Sequence, residues 1–157
     1  MVERLVIDAS VAVKWYLPDA SEEDTDPANE ILLALLSRDL ELHAPRVFPF
    51  EVCHTLTNAC KRNIASSGSG LRMEDALRCV RSLFQLPIHL ADSTEAEGVE
   101  SLNMAVEFSK TYYDMTYVRL AERLDCRWCT SDRKAAVAVH SEFPRDRIVL
   151  LDELRAS

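Results

Sequence analysis

The chain has 157 residues, 48% of them hydrophobic, and 18 Lys+Arg against 26 Asp+Glu give a net charge of −8. That length suits one compact domain, expected to span residues 1–157, with a sizeable core. The negative balance excludes broad non-specific adhesion to nucleic acid or to an anionic membrane, but leaves room for a local acidic cluster that holds a metal.

Glu3 to Ile7 reads as a short strand with β-branched residues, and Val11 to Leu17 as a short helix stopped by Pro18. Pro18 to Glu30 is acidic and turn-rich, a surface loop before a helix around Ala28 to Ser37. A second strand is expected at Leu40 to Ala44 and a helix at Pro49 to Arg62. "SSGSG", Ser66 to Gly70, then forms a mobile tip before another helix, Arg72 to Leu86. Pro87 to Ala91 is a third strand, Glu95 to Ser109 and Thr111 to Leu124 are helical, Cys126 to Thr130 is a fourth strand, Arg133 to His140 a helix and Arg147 to Leu150 a last strand. Met1 to Asp8 lacks the pattern of a signal peptide, and no apolar run approaches the roughly 20 residues of a membrane span. A cytosolic protein is therefore expected. Five scattered cysteines, an odd number, point to reduced buried thiols rather than a disulfide framework.

Strands separated by helices imply an α/β fold with a parallel sheet of about five strands and helices on both faces. In such sheets ligands bind in the crevice beyond the carboxyl ends of the strands. Asp8 ends the first strand and Asp132 follows the fourth, so both point to that crevice. Glu51 lies in the first turn of the helix after the second strand, on one face with Thr55 and Asn58. Its neighbours Phe48, Phe50, Val52 and Leu56 make an unpaired carboxylate expensive there. Asp114 opens the helix that leads into the fourth strand.

Each acid also has a purely structural reading. Asp8 and Asp132 suit helix N-caps, Asp114 suits the last position of a Thr111-x-x-Asp114 capping box, and Glu51 suits a pair with Arg46 or Arg62. Those separate roles do not explain why four acids converge at one end of a sheet. Lys14, Arg133 and Lys134 are candidates for phosphate contact, against the ordinary role of solvated surface cations. Trp15 and Tyr16 suit stacking on bases, although core packing is favoured for Trp15.

Other motifs carry less. Glu51-Val-Cys-His54 has the spacing of half a di-iron site, but only one copy is present and the sheet pattern contradicts a bundle. Cys126-Arg-Trp-Cys129 has the spacing of a redox dithiol, yet falls inside an expected strand. His43, His89 and His140 are scattered and read as ordinary. "DAS" lacks the second aspartate, two positions on, of phosphatases that form an aspartyl-phosphate; Ser10 stands there.

Four stretches, "VIDASVAVKWYLPD", "PFEVCHTL", "YYDMTYVRLAERL" and "CTSDRK", together give the chain a specific likeness. It resembles the PIN-domain proteins and, more narrowly, the toxin ribonucleases of VapBC toxin–antitoxin pairs, over nearly its whole length. The resemblance implies a three-layer α/β/α PIN-like sandwich and a metal-dependent endoribonuclease. Asp8, Glu51, Asp114 and Asp132 would correspond to the quartet that binds Mg2+ or Mn2+ and hydrolyses RNA phosphodiesters, and Ser10 and Thr130 to supporting hydroxyls. The chain departs from the pattern at Ser131 and Arg133, which leaves any acidic ligand beyond Asp132 unsupported.

A carboxylate-rich, sulfur-free set of donors suits these hard cations, and crowding of four acids should raise one or two of their pKa values. The resemblance also implies a small antitoxin that sets an Arg or Lys near Asp8 and Asp114, and a homodimer. Leu56, Leu77 and Leu83 look like more apolar surface than two short helices can bury alone, which favours the dimer. The alternative function is a non-catalytic PIN module that binds RNA or protein through the same acidic crevice. DNA cleavage is a third reading.

Overall fold

A computed structural model of the chain describes residues 2–17, 25–65, 70–140 and 143–156. Five parallel strands form its sheet: β1 Glu3–Ile7, β2 Leu40–Pro45, β3 His89–Ala91, β4 Arg127–Thr130 and β5 Ile148–Leu150. They lie in the order β3-β2-β1-β4-β5. Around them run α1 Ala9–Val13, α2 Thr25–Ser37, α3 Phe48–Ala65, α4 Met73–Leu83, α5 Glu95–Glu107, α6 Tyr112–Arg123 and α7 Arg133–Val139. This is the α/β/α sandwich expected.

The strand order dictates where a site can form. The chain steps outward from β1 to β2 to β3, then crosses back and lays β4 on the opposite side of β1. The reversal opens a crevice at the carboxyl ends of β1 and β4, the place where doubly wound sheets bind ligands. Val6 pairs with His43 on one side and Trp128 on the other. Val6, Ile7, Leu42, Ala44, Trp128 and Cys129 are all fully buried, as expected for parallel strands covered on both faces.

Every expected element forms, with displaced ends. α1 starts at Ala9, not Val11, because the Asp8 carboxylate caps it, accepting from the Ser10 backbone N–H at 2.8 Å. α3 starts at Phe48 and accommodates Pro49 in its first turn, where a missing N–H costs nothing. α2 begins at Thr25, inside the stretch expected as loop, and a 3-10 turn at Leu151–Ala156 was not expected. Residues 18–24 of the expected acidic loop, and 66–69 of the expected mobile tip, lie outside the described residues. Gly70 does not stand free: its carbonyl accepts from Asn63 Nδ2 at 3.1 Å, and a Cβ there would meet Ala59 O and Asn63 N at 2.8 Å, so only glycine approaches α3 this closely.

Three of the described helices close through a left-handed residue that is not glycine. Arg38, Ser109 and Asp125 take left-handed φ values of 66, 52 and 48° after α2, α5 and α6. The following amides reach back to Ala34, Ala105 and Ala121 carbonyls at 2.9 to 3.0 Å, closing the helix ends.

Two of the three leucines expected to offer a dimer face are not available to one. Leu56 and Leu83 are buried within the chain, and only Leu77, 49% exposed, remains of the three. α3 packs against both α1 and α4, and Leu56 and Leu83 join the common core. All five cysteines are free, though only Cys60 and Cys129 are buried. Burial pushes the Cys129 thiol up to about 12, so the Cys126/Cys129 pair lacks the thiolate a redox dithiol needs. Trp15 packs against the core and donates to the Ala28 carbonyl at 2.7 Å. Among the described residues no helix is long and apolar enough to cross a membrane.

Candidate active site

The β1–β4 ladder extends one residue past β1, since the Asp8 amide donates to the Cys129 carbonyl at 2.9 Å. The backbone of Asp8 is thus still fixed by the sheet while its side chain already caps α1. Thr130 Oγ1 at the end of β4 donates to Asp8 Oδ2 at 3.3 Å and lies 3.4 Å from Ser10 Oγ. Ser10 Oγ in turn accepts from the Ser131 amide at 3.1 Å, and Thr130 Oγ1 from the Asp132 amide at 3.0 Å. The two hydroxyls therefore stitch the β1–α1 turn to the β4–α7 turn, across the switch point. Asp132 completes the pair of turns as N-cap of α7, accepting from the Ala135 amide at 2.9 Å.

The other two acids arrive from opposite directions. Glu51 projects from the first turn of α3 and takes a short hydrogen bond from the Tyr117 hydroxyl of α6. Asp114 occupies the expected capping box: Thr111 N donates to its Oδ2, and its own amide donates to Thr111 Oγ1, both at 3.1 Å. Asp8, Glu51, Asp114 and Asp132 line one crevice of about 500 Å3, with Ser10, Lys14, Thr55, Arg62 and Ser131. The structural and the convergent readings of these acids hold together. A carboxylate offers about four lone-pair sites, so a cap or a phenol hydrogen bond leaves acceptor capacity facing the cleft.

Burial makes two of the acids reluctant to ionise. Desolvation, aided by the nearby Asp114 charge, raises Asp8 from 3.8 to about 6 against the lowering effect of the Ser10 and Thr130 hydrogen bonds. Glu51 rises from 4.5 to about 7, again first through desolvation, with Asp8 and Asp114 adding repulsion and the Tyr117 hydroxyl pulling the other way. Loss of water outweighs the repulsion expected from crowding, in keeping with the apolar neighbours of Glu51. Tyr117 is pushed well above the usual phenol range by burial and by Asp8 and Glu51, so it stays a neutral donor at any working pH.

Not every candidate faces the crevice. Arg133 pairs with Asp152 and Glu153 of the C-terminal turn. Lys134 is exposed and is not among the crevice-lining residues. Asn58 bonds His54 at 3.1 Å instead of sharing the cleft with Thr55. Arg46 pairs with Asp92, not with Glu51. Tyr117 was missed by sequence reasoning, though its position three residues after Asp114 on one helix face was a usable signal.

The donors suit a hard divalent cation in kind: four carboxylates and neighbouring hydroxyls, with no sulfur or imidazole in the lining among the described residues. Two of them carry raised pKa values that a cation would relieve. Among the described residues no group of three or more His, Cys, Asp or Glu stands close enough together to hold a metal as placed.

No protein-family model matches the chain. It is similar to Ribonuclease VapC3 of Pyrobaculum aerophilum, with 28% identity over 134 residues, 85% of this chain and 92% of that protein. Among solved structures, PAE2754 from Pyrobaculum aerophilum matches with a TM-score of 0.66 at 18% identity, over 100% of this chain and 92% of that one. Mycobacterium tuberculosis VapC20, a sarcin-ricin loop cleaving toxin, matches with a TM-score of 0.62 at 11% identity, over 91% of this chain and 98% of that one.

Proposed function

We propose that this chain, a homologue of a VapC ribonuclease with the PIN-like fold, is a metal-dependent endoribonuclease and the toxin of a toxin–antitoxin pair. The observation that carries the reading is the convergence of Asp8, Glu51, Asp114 and Asp132 on one crevice at the topological switch point. Retention of all four acids favours an enzyme over a non-catalytic module on the same surface.

Asp8, Glu51, Asp114 and Asp132 would hold Mg2+ or Mn2+, which when bound lowers the pKa of water and neutralises charge building on the phosphate. The chain's own groups prepare that place. Ser10 and Thr130 fix the Asp8 carboxylate between the two turns. Tyr117 orients Glu51 and lowers its pKa toward the working range. Lys14 and Arg62 line the same cleft and are suited to hold the phosphodiester. The decisive experiment is cleavage of a panel of structured RNAs with magnesium or manganese and with chelator, in the wild type and in Asp114→Asn. Metal-dependent cleavage lost in the variant supports the reading; RNA binding without cleavage supports the non-catalytic alternative, and cleavage of DNA alone the third.

The partner inferred is a small protein that inserts an Arg or Lys between Asp8 and Asp114, where bidentate pairing with carboxylates is available. Such a contact weakens with salt and competes with metal for the same oxygens, which a manganese titration of the purified complex at two ionic strengths measures. Homodimerisation in the cytoplasm belongs to the same reading. Its apolar support now comes from Val99, Leu102 and Val106, exposed at i, i+3 and i+7 along α5.

A further inference from the structure

Beside the acidic crevice lies a second groove of about 470 Å3, lined by Val47, Phe50, Glu51, His54, Thr55 and Tyr113. It shares Glu51 and Thr55 with the crevice, so the two form one continuous surface. Its volume falls within the range of about 300–1,000 Å3 typical of ligand sites. Phe50 is 71% and Tyr113 51% exposed. Each stands one position before a crevice acid, Glu51 or Asp114, on a different helix. A helix turns about 100° per residue, so a ring one position before a carboxylate is carried to that carboxylate's flank. Two large aromatic side chains are thus held at the mouth of the cleft with their surfaces open to solvent.

We propose that this groove seats an unpaired base of single-stranded RNA next to the phosphate held in the crevice, stacked between Phe50 and Tyr113. The inference rests on the ribonuclease reading and adds how the substrate is gripped. Charge argues the same way. The chain carries −8, and among the described residues only Lys14 and Arg62 bring positive charge to the crevice lining. Phosphate contacts, the usual source of affinity for nucleic acid, are therefore few. Stacking needs no cation and tolerates any base, because every base offers a π-face.

The test measures binding of fluorescein-labelled single-stranded RNA decamers of mixed sequence to the full chain in chelator, together with cleavage of the same decamers in manganese. Phe50→Ala and Tyr113→Ala should weaken binding by about 5- to 150-fold, the range for removal of one stacked base, and raise KM more than they lower kcat. Phe50→Trp should restore binding, and a decamer of abasic riboses should bind the wild type as weakly as RNA binds Phe50→Ala. Wild-type cleavage with unchanged binding by both alanine variants overturns the stacking groove alone. So does a change of Phe50→Ala from dimer to monomer in sedimentation, which assigns the groove to a second copy, or recovery of RNA-like affinity only with a peptide partner. Absence of both binding and cleavage in the wild type overturns the ribonuclease reading and this groove with it.

Discussion

Asp8→Asn should make the metal-free protein more stable at alkaline pH while removing its activity. Asp8 is buried, and its pKa stands at about 6 against an ordinary 3.8. Because the folded value is the higher one, the group's contribution to stability is fully present below 3.8 and is lost as pH rises through about 6. Between pH 5 and pH 8 that loss amounts to about 1.4 kcal/mol. Asparagine does not titrate, and its side-chain oxygen can still accept from the Ser10 amide that caps α1. In a domain of this size the advantage of the variant over the wild type should therefore grow by about 3–6 °C in Tm between pH 5 and pH 8. The assay is thermal unfolding of both proteins at the two pH values in chelator, repeated in manganese. There the wild type should regain stability by binding the ion and the variant should not. A difference in Tm that stays constant between pH 5 and pH 8 would refute the claim that desolvation of Asp8 sets its pKa.

Asp114→Asn should abolish cleavage with a stability change within about 0.5 kcal/mol, since asparagine still accepts from the Thr111 amide. Thr111→Ala should do the reverse, losing about 0.5–2 kcal/mol in denaturant unfolding while cleavage persists, and full activity in Asp114→Asn would leave that residue its capping role alone. Tyr117→Phe removes the hydroxyl that holds Glu51 down. Glu51 should then rise further above about 7, and the acidic limb of the pH–rate profile should move to higher pH. Ser109→Gly relieves a left-handed residue at the end of α5 and should raise stability by about 1 kcal/mol, read as about 2–4 °C in Tm; a lower Tm would contradict the strain assigned there.

The sequence by itself determined the element order, because period-2 and period-3.6 patterns and turn residues are local signals that burial then agrees with. It also located the candidate crevice: acids at the ends of β1 and β4 face the carboxyl edge of a parallel sheet, and the residues around Asp114 spell a capping box. Element ends were less legible, since α1 begins where Asp8 turns to cap it and α3 runs on past Arg62. Tertiary structure alone decided which long-range partners each side chain meets. Glu51 and Tyr117 stand 66 residues apart, and their bond exists only because α3 and α6 approach the same end of the sheet. The same packing buried Leu56 and Leu83 that looked available to a partner, turned Arg133 toward Asp152, and exposed Phe50 and Tyr113 beside the acids. It also set the pKa values of Asp8 and Glu51, because desolvation depends on everything packed around a carboxyl group, and no stretch of sequence contains that sum.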